Sequence, residues 1–310
     1  MAKKEKVALD GLEKFNRISN PTNALFNLIF VIFSLTCIVP ILLVVSISLS
    51  SEESIRQFGY SMIPKEFSVE GYTFLLQQGT MILQALGVSL FVTIVGTVLG
   101  VLLTTLMGYS MSRPNYKLKG LLTWIVFIPM VFNGGLVSTY YIVGNMLGLK
   151  NTIWALILPL VVSSFNVIIC KTFFKQTVPD SLIESGKIDG AGQFTIFFRI
   201  VLPISLPLLA TIGLFLCFAF WNDWYQSMLY IDEPKLKSLQ ALLQSILSNI
   251  TAMAQQIANI GGDTASLIAN MPQEAARMAI VVIIVFPIAC AYPFFQKYFI
   301  SGLTVGAVKG

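Results

Sequence analysis

The sequence predicts an all-α integral membrane protein with six transmembrane helices and both termini in the cytoplasm. Three observations predict it: a composition too apolar for a soluble domain, six apolar runs of spanning length, and a one-sided distribution of Lys and Arg. Of the 310 residues, 55% are apolar and 11% charged, with a mean hydropathy of +0.78. Soluble domains carry roughly 25% charged residues.

A helix needs about 20 apolar residues to cross the hydrocarbon layer. Runs of that length occupy residues 25–47, 85–109, 121–143, 152–174, 204–228 and 278–299. The first follows a polar segment, 1–24. It is too long for a signal-peptide core and has no small-x-small cleavage pattern, so it reads as a retained span. Residues 25–84 then comprise the first span and a long connection, and 85–299 the core of the membrane domain. The fifth run starts among Pro203 and Pro207, which suit the first turn of a helix better than its interior. The connection 229–277 holds LKSLQALLQSILSNI (236–250), apolar at helical spacing, and predicts a surface-lying or docked helix. Residues 300–310 form a tail on the cytoplasmic side.

Orientation follows from charge. Lys3, Lys4, Lys6, Lys14 and Arg17 share one side with Arg113, Lys117, Lys119, Lys171, Lys175, Lys187, Arg199, Lys297 and Lys309. Arg56, Lys65, Lys150, Lys235, Lys237 and Arg277 fall on the other. Cytoplasmic loops carry the excess of Lys and Arg, so the richer side is inside. The same bias accounts for the net charge of +5; the basic residues are scattered, which argues against nucleic acid as a partner.

Several chemistries are excluded. Without histidine there is no Ser-His-Asp or Cys-His constellation and no His-ligated metal. Cys37, Cys170, Cys217 and Cys290 lie far apart inside apolar runs and read as small core residues. No G-x-x-x-x-G-K-[ST] phosphate loop occurs, so any use of ATP falls to another chain, and this one holds no cofactor.

The polar stretch 178–203, between the fourth and fifth runs, reads as structure rather than slack. Pro179 fits a first turn, with Asp180 and Ser181 near the positive end of a short helix. Gly190 falls where a left-handed stop is wanted. Leu182, Ile183 and Ile188 face water unless a partner covers them. A second amphipathic piece, FTIFFRIVLP, leads back to the membrane. Such a stub helix suits a part that docks on a cytoplasmic partner, although an ordinary solvated loop has the same composition.

Spacing sharpens this. Glu184, Gly190, Ile200, Leu202 and Pro203 stand in the register E-A-A-x3-G-x9-I-x-L-P. The stretch resembles the EAA loop of ATP-binding-cassette importer permeases, with Ser185 and Gly186 replacing the two alanines. Both are small, so close packing against a partner survives, and Gly186 loosens the helix by roughly 0.5–1 kcal/mol relative to alanine. KIDGAGQFTIFFRIVLPISLP, FWNDWYQSMLYI (220–231) and YFISGLTVGAVKG (298–310) are similar to the carbohydrate-transporting, maltose-permease type, especially its branch for oligosaccharides or polysaccharides. The likeness covers nearly the whole chain from about residue 24.

That resemblance implies a type I ABC importer permease fold in the plasma membrane of a prokaryote, and no enzyme. It implies four partners besides the lipid bilayer: a second permease subunit, an ATP-binding-cassette ATPase dimer, an extracytoplasmic solute-binding protein, and a sugar. Glu184, Ser185, Gly186, Asp189 and Gly190 would seat on the ATPase, and Ile200, Leu202 and Pro203 would anchor the loop to the fifth span. The terminal residues 302–310 would also reach the ATPase. A sugar path needs hydrogen-bonding groups and aromatic faces, for which Asn133, Thr139, Tyr140, Asn166, Trp221, Asn222 and Asp223 are the candidates. Trp221 equally fits an interfacial aromatic belt. An importer of another solute, such as glycerol phosphate or a small sugar, remains an alternative, as do a stand-alone channel and a membrane enzyme.

Overall fold

The structure is a computed structural model that describes residues 20–77, 79–260 and 272–307. The basic N-terminal segment up to residue 19, residues 261–271 and the last three residues of the tail lie outside the described residues. The helices in order are α1 (Asn20–Ser48), α2 (Glu52–Phe58), α3 (Glu70–Leu76), α4 (Gly79–Ser112), α5 (Lys119–Val131) and α6 (Gly135–Tyr140). There follow α7 (Trp154–Ile157), α8 (Ser164–Thr177), α9 (Asp180–Ile188), α10 (Gln193–Ile204) and α11 (Leu206–Trp221). The last three are α12 (Tyr225–Tyr230), α13 (Leu239–Ile260) and α14 (Gln273–Ala307). Among the described residues the only strand-like feature is an antiparallel bridge between Ser50 and Phe67.

Among the described residues three unbroken helices are long and apolar enough to cross a bilayer: Pro21–Ser48, Gly79–Ser112 and Gln273–Pro293. A fourth crossing is available if α10 and α11, which meet at 85°, count as one bent span. The expected third and fourth runs are not continuous helices. In 121–143, α5 stops at Val131, Phe132 is extended, and Gly135 takes φ +80° before α6 begins. The Asn133 side chain accepts the Gly135 N–H at 2.9 Å and holds that turn. In 152–174, α7 ends at Ile157 ahead of Pro159, and α8 starts only at Ser164. The expected fifth run also ends early, at Trp221. Non-helical backbone at membrane depth is tolerated where protein covers it or a water-filled cavity bathes it.

The chain divides into two compact units. The first comprises residues up to Gly71 together with Pro272–Ala279. Ile47, Ile55 and Ala275 form its small core, with Leu43 and Met278 against them. Glu52, only 6% exposed, accepts the backbone N–H groups of Glu274 and Ala275 at 3.0 and 3.2 Å. It thereby satisfies donors that the start of α14 leaves without intrahelical partners. None of the most apolar 18-residue window of α1 is covered by the rest of the chain.

The second unit, Tyr72–Met271 with Ile280–Gly310, is organised on α4, which packs chiefly against α11 and α8. Small residues at four-residue spacing permit this. A Cβ at Gly96 would lie 2.6 Å from the Phe220 ring, at Gly100 2.8 Å from Leu216, and at Gly108 2.4 Å from Cys170. Such small-xxx-small faces let helix backbones approach where lipid gives no hydrophobic drive for association. The helix expected in 236–250 is α13, and it is docked: Leu239, Leu242, Leu243 and Ile246 are buried, and the Leu239 N–H donates to Ser89 Oγ of α4 at 2.8 Å.

Candidate functional site: the segment between α8 and α11

After Pro179, in extended conformation, α9 starts with Asp180 in its first turn and ends with Lys187 in its last. Both charges complement the helix dipole. The stop is sharp. Gly190 takes φ +77°, its N–H donates to the Lys187 carbonyl at 3.0 Å, and the Ala191 N–H donates to the Gly186 carbonyl at 2.9 Å. This paired 5→2 and 6→1 bonding is a Schellman stop, which needs a residue at ease in the left-handed region. Glycine at 190 therefore sits where the sequence placed it.

The two faces of α9 are unlike. Ile183 and Gly186 are buried, whereas Leu182, Glu184, Ser185, Lys187, Ile188 and Asp189 are exposed, Ile188 by 86%. Two expectations are corrected here. Ile183 does not face water but joins the main core with Ile196, Phe197 and Val201. Gly186 does not face a partner either: a Cβ there would lie 3.2 Å from Ile196 and 3.4 Å from Ile200 of α10. The small residue serves packing inside the segment. Ser185 donates to the Ser181 carbonyl at 3.0 Å. Ile200 and Leu202 are half-buried against the core and Pro203 is exposed, on the return path of α10. Phe194 on α10 is likewise exposed, by 73%, and was missed in the sequence.

Arg113, just past α4, was also missed as anything but a charge. Its Nη1 donates to Asp180 Oδ1 at 2.9 Å, its Nη2 to the Phe174 carbonyl at 3.1 Å, and its Nε to Ser112 Oγ at 3.0 Å. The guanidinium carbon stands 5.3 Å from the centre of the Tyr109 ring. Tyr109 in turn packs on Phe174 at 5.8 Å and Phe197 at 5.2 Å. A cleft of about 430 Å³ opens beside this cluster, with Arg113, Tyr116, Asp180, Glu184, Lys187 and Phe194 in its wall. Glu184 and Lys187 have no ion-pair partner among the described residues.

The seven path candidates are spread over separate places. Asn133 and Thr139 are exposed around the α5–α6 break, where Thr139 donates to the Gly135 carbonyl at 2.8 Å. Tyr140 stacks on buried Tyr230, with ring centres 5.7 Å apart and planes at 9°. Asn166 is buried on α8. Trp221 is buried, and its indole N–H donates to the Ile284 carbonyl at 3.0 Å. Asn222 donates to the Phe218 carbonyl at 3.0 Å, and Asp223 accepts the Gln226 N–H at 3.2 Å. Most of these groups are engaged in local bonds of the chain itself.

Residues 96–305 match the family described as binding-protein-dependent transport system inner membrane component. Protein LplC of Bacillus subtilis (strain 168) is 38% identical over 275 residues, 88% of this chain and 90% of its own. The polygalacturonan/rhamnogalacturonan transport system permease protein YtcP of the same organism is 36% identical over 292 residues, 93% of this chain and 99% of its own. Among solved structures, a chain in the crystal structure of a bacterial ABC transporter that imports the acidic polysaccharide alginate superposes with a TM-score of 0.77. It covers 92% of this chain and 100% of its own at 23% identity, which shows a shared fold. The chain belongs to the family of binding-protein-dependent transport system inner membrane components, transport subunits rather than enzymes.

Proposed function

We propose that this chain is one of two permease subunits of an ATP-driven importer of oligosaccharides or polysaccharide fragments in a bacterial plasma membrane. The proposal includes six crossings: α1, α4, α5 with α6, α7 with α8, α10 with α11, and α14. The Lys and Arg distribution supports cytoplasmic termini and puts the α9 segment inside. There α9 docks on the ATPase pair, through Glu184, Ser185 and Asp189 on its exposed face and with its end fixed by Gly190. A solute-binding protein delivers the sugar from the other side. Asn133, Thr139, Tyr140, Asn166, Trp221, Asn222 and Asp223 mark the helices that line the path.

The observation that carries this reading is the rigidly stopped α9 inside the 184–203 spacing, with Ile188 on it and Phe194 after it both exposed. The relatives' names support the sugar class, among them a polygalacturonan/rhamnogalacturonan transport system permease protein. Purification of the tagged chain from its native membrane tests it. An ATPase and a second permease should come down together, and joint Glu184→Ala and Gly190→Val substitution should release the ATPase. Cells should take up labelled oligogalacturonide only with the chain intact. A chain that purifies without an ATPase sinks the coupling reading; uptake of a different solute alone sinks only the sugar.

A further inference from the structure

We propose that Arg113 is the fastening point through which movement of α9 reaches α4, a positioning residue for coupling rather than a contact to the ATPase. The proposal rests on the reading of α9 given above. Three elements meet at one guanidinium. Arg113 follows α4 directly in the chain, its Nη2 bonds the Phe174 carbonyl at the end of α8, and its Nη1 bonds Asp180 in the first turn of α9. The Val178 carbonyl, in the turn between α8 and α9, lies 3.5 and 3.4 Å from Nη1 and Nη2. The Phe174 carbonyl also accepts the Val178 N–H at 3.1 Å, and the C-terminal end of a helix carries the negative end of its dipole, so a cation there is favoured.

An exposed ion pair contributes little, which argues against importance for Asp180 taken alone. The Arg113 side chain, however, is 14% exposed against 61% for Asp180, and the Tyr109 ring shields it. The rest of α9 meets its own chain through apolar packing of Ile183 and Gly186, which is non-directional. A planar guanidinium fork bonded in several directions does not slide; it fixes both distance and angle. Lysine supplies one compact charge and cannot reproduce the set. A push on α9 is thus delivered at the end of the helix that packs on α8 and α11.

The test uses the assembled complex of both permeases and the ATPase in lipid nanodiscs, with no solute. The four native cysteines are replaced by serine and Leu83, exposed at the far end of α4, by cysteine. The rate of maleimide reaction at position 83 is measured with and without ATP plus vanadate. The wild-type background should show a nucleotide-dependent change in rate. In Arg113→Ala that change should be lost while the ATPase stays bound; Arg113→Lys and Asp180→Asn should retain part of it. An unchanged response in Arg113→Ala overturns the proposal, as does an unresponsive wild type, since α4 then does not move. A purely structural role lowers the yield of complex but leaves the response of each assembled molecule intact. Should Arg113→Ala fail to insert, an undiminished response in both Arg113→Lys and Asp180→Asn overturns it equally. Absence of the ATPase from the wild-type complex is the separate sign that the docking reading has failed.

Discussion

Two short helical turnings of this chain, 178–203 and 221–239, are built from similar parts and finished in opposite ways. The second closes on itself. Trp221, Ser227, Tyr230, Ile231, Ser238 and Leu239 are buried. Part of its polar set is matched locally: Ser238 Oγ donates to the Asp223 carbonyl at 3.1 Å, and the Ser238 N–H donates to Ser227 Oγ at 3.0 Å, whereas Gln226 Oε1 and the Tyr230 hydroxyl are buried without a partner among the described residues. The first region is equally well fixed in backbone, with its Schellman stop and its Arg113 clasp, yet leaves Ile188 and Phe194 in the open. A rigid backbone under an uncovered apolar face suits a surface prepared for a partner, because little ordering entropy remains to be lost on docking. A region buried against the rest of its own chain suits a brace.

The largest expected effect comes from breaking the rigid stop of the open region at Gly190. Gly190→Val puts a β-branched residue at φ +77°, a strained outlier for such a side chain. Uptake of labelled oligogalacturonide should be abolished while the protein still reaches the membrane. Gly190→Asn, which tolerates the left-handed region, should keep a measurable part. Equal loss in both variants would show that glycine's small size at the interface matters rather than its conformation.

Trp221→Phe tests the other side of the comparison. The ring is largely kept, but the indole hydrogen bond to the Ile284 carbonyl is lost. Losing one part-buried hydrogen bond costs about 0.5–1.5 kcal/mol, read as a lower unfolding midpoint in detergent. If Trp221 is a brace, the KM for the solute stays unchanged in the molecules that fold. A raised KM with unaltered stability would place it on the sugar path instead.

The contrast between the regions was half legible in the sequence. Pro179, Gly190 and the periodic 236–250 stretch carry local signals whose physics is complete within a few residues, and the structure has a helix start, a left-handed stop and a helix there. The long helices at 25–47, 85–109 and 278–299 were visible for the same reason. The interruptions were not, because a hydropathy window sums composition and ignores where Asn133-Gly134-Gly135 or Pro159 turns the chain. What each face of α9 touches was also hidden. Ile183 turns inward, and Arg113 meets Asp180 across 67 positions, through tertiary neighbours that no local pattern contains. Gly186 shows the limit most clearly: its smallness was readable, but not which surface requires it.

Gly186→Ala is the smallest effect and the finest probe of that surface. Alanine in mid-helix gains about 1 kcal/mol over glycine from backbone entropy. Against this, the new Cβ would stand 3.2 Å from Cγ1 of fully buried Ile196, so that side chain must shift by a few tenths of an ångström in a packed core. Overpacking by a whole methylene costs about 1–3 kcal/mol, and a shift this small takes only part of that. The two terms should offset to a net change under about 1 kcal/mol in the unfolding midpoint. ATPase retention should stay normal, because the added methyl points into the segment and leaves the exposed face as it was. Loss of the ATPase with stability unchanged would mean that Gly186 meets the partner after all, and that the inner packing against Ile196 loosens in the assembled transporter. A gain in stability with coupling lost would point elsewhere, to a helix that must flex at 186 to work.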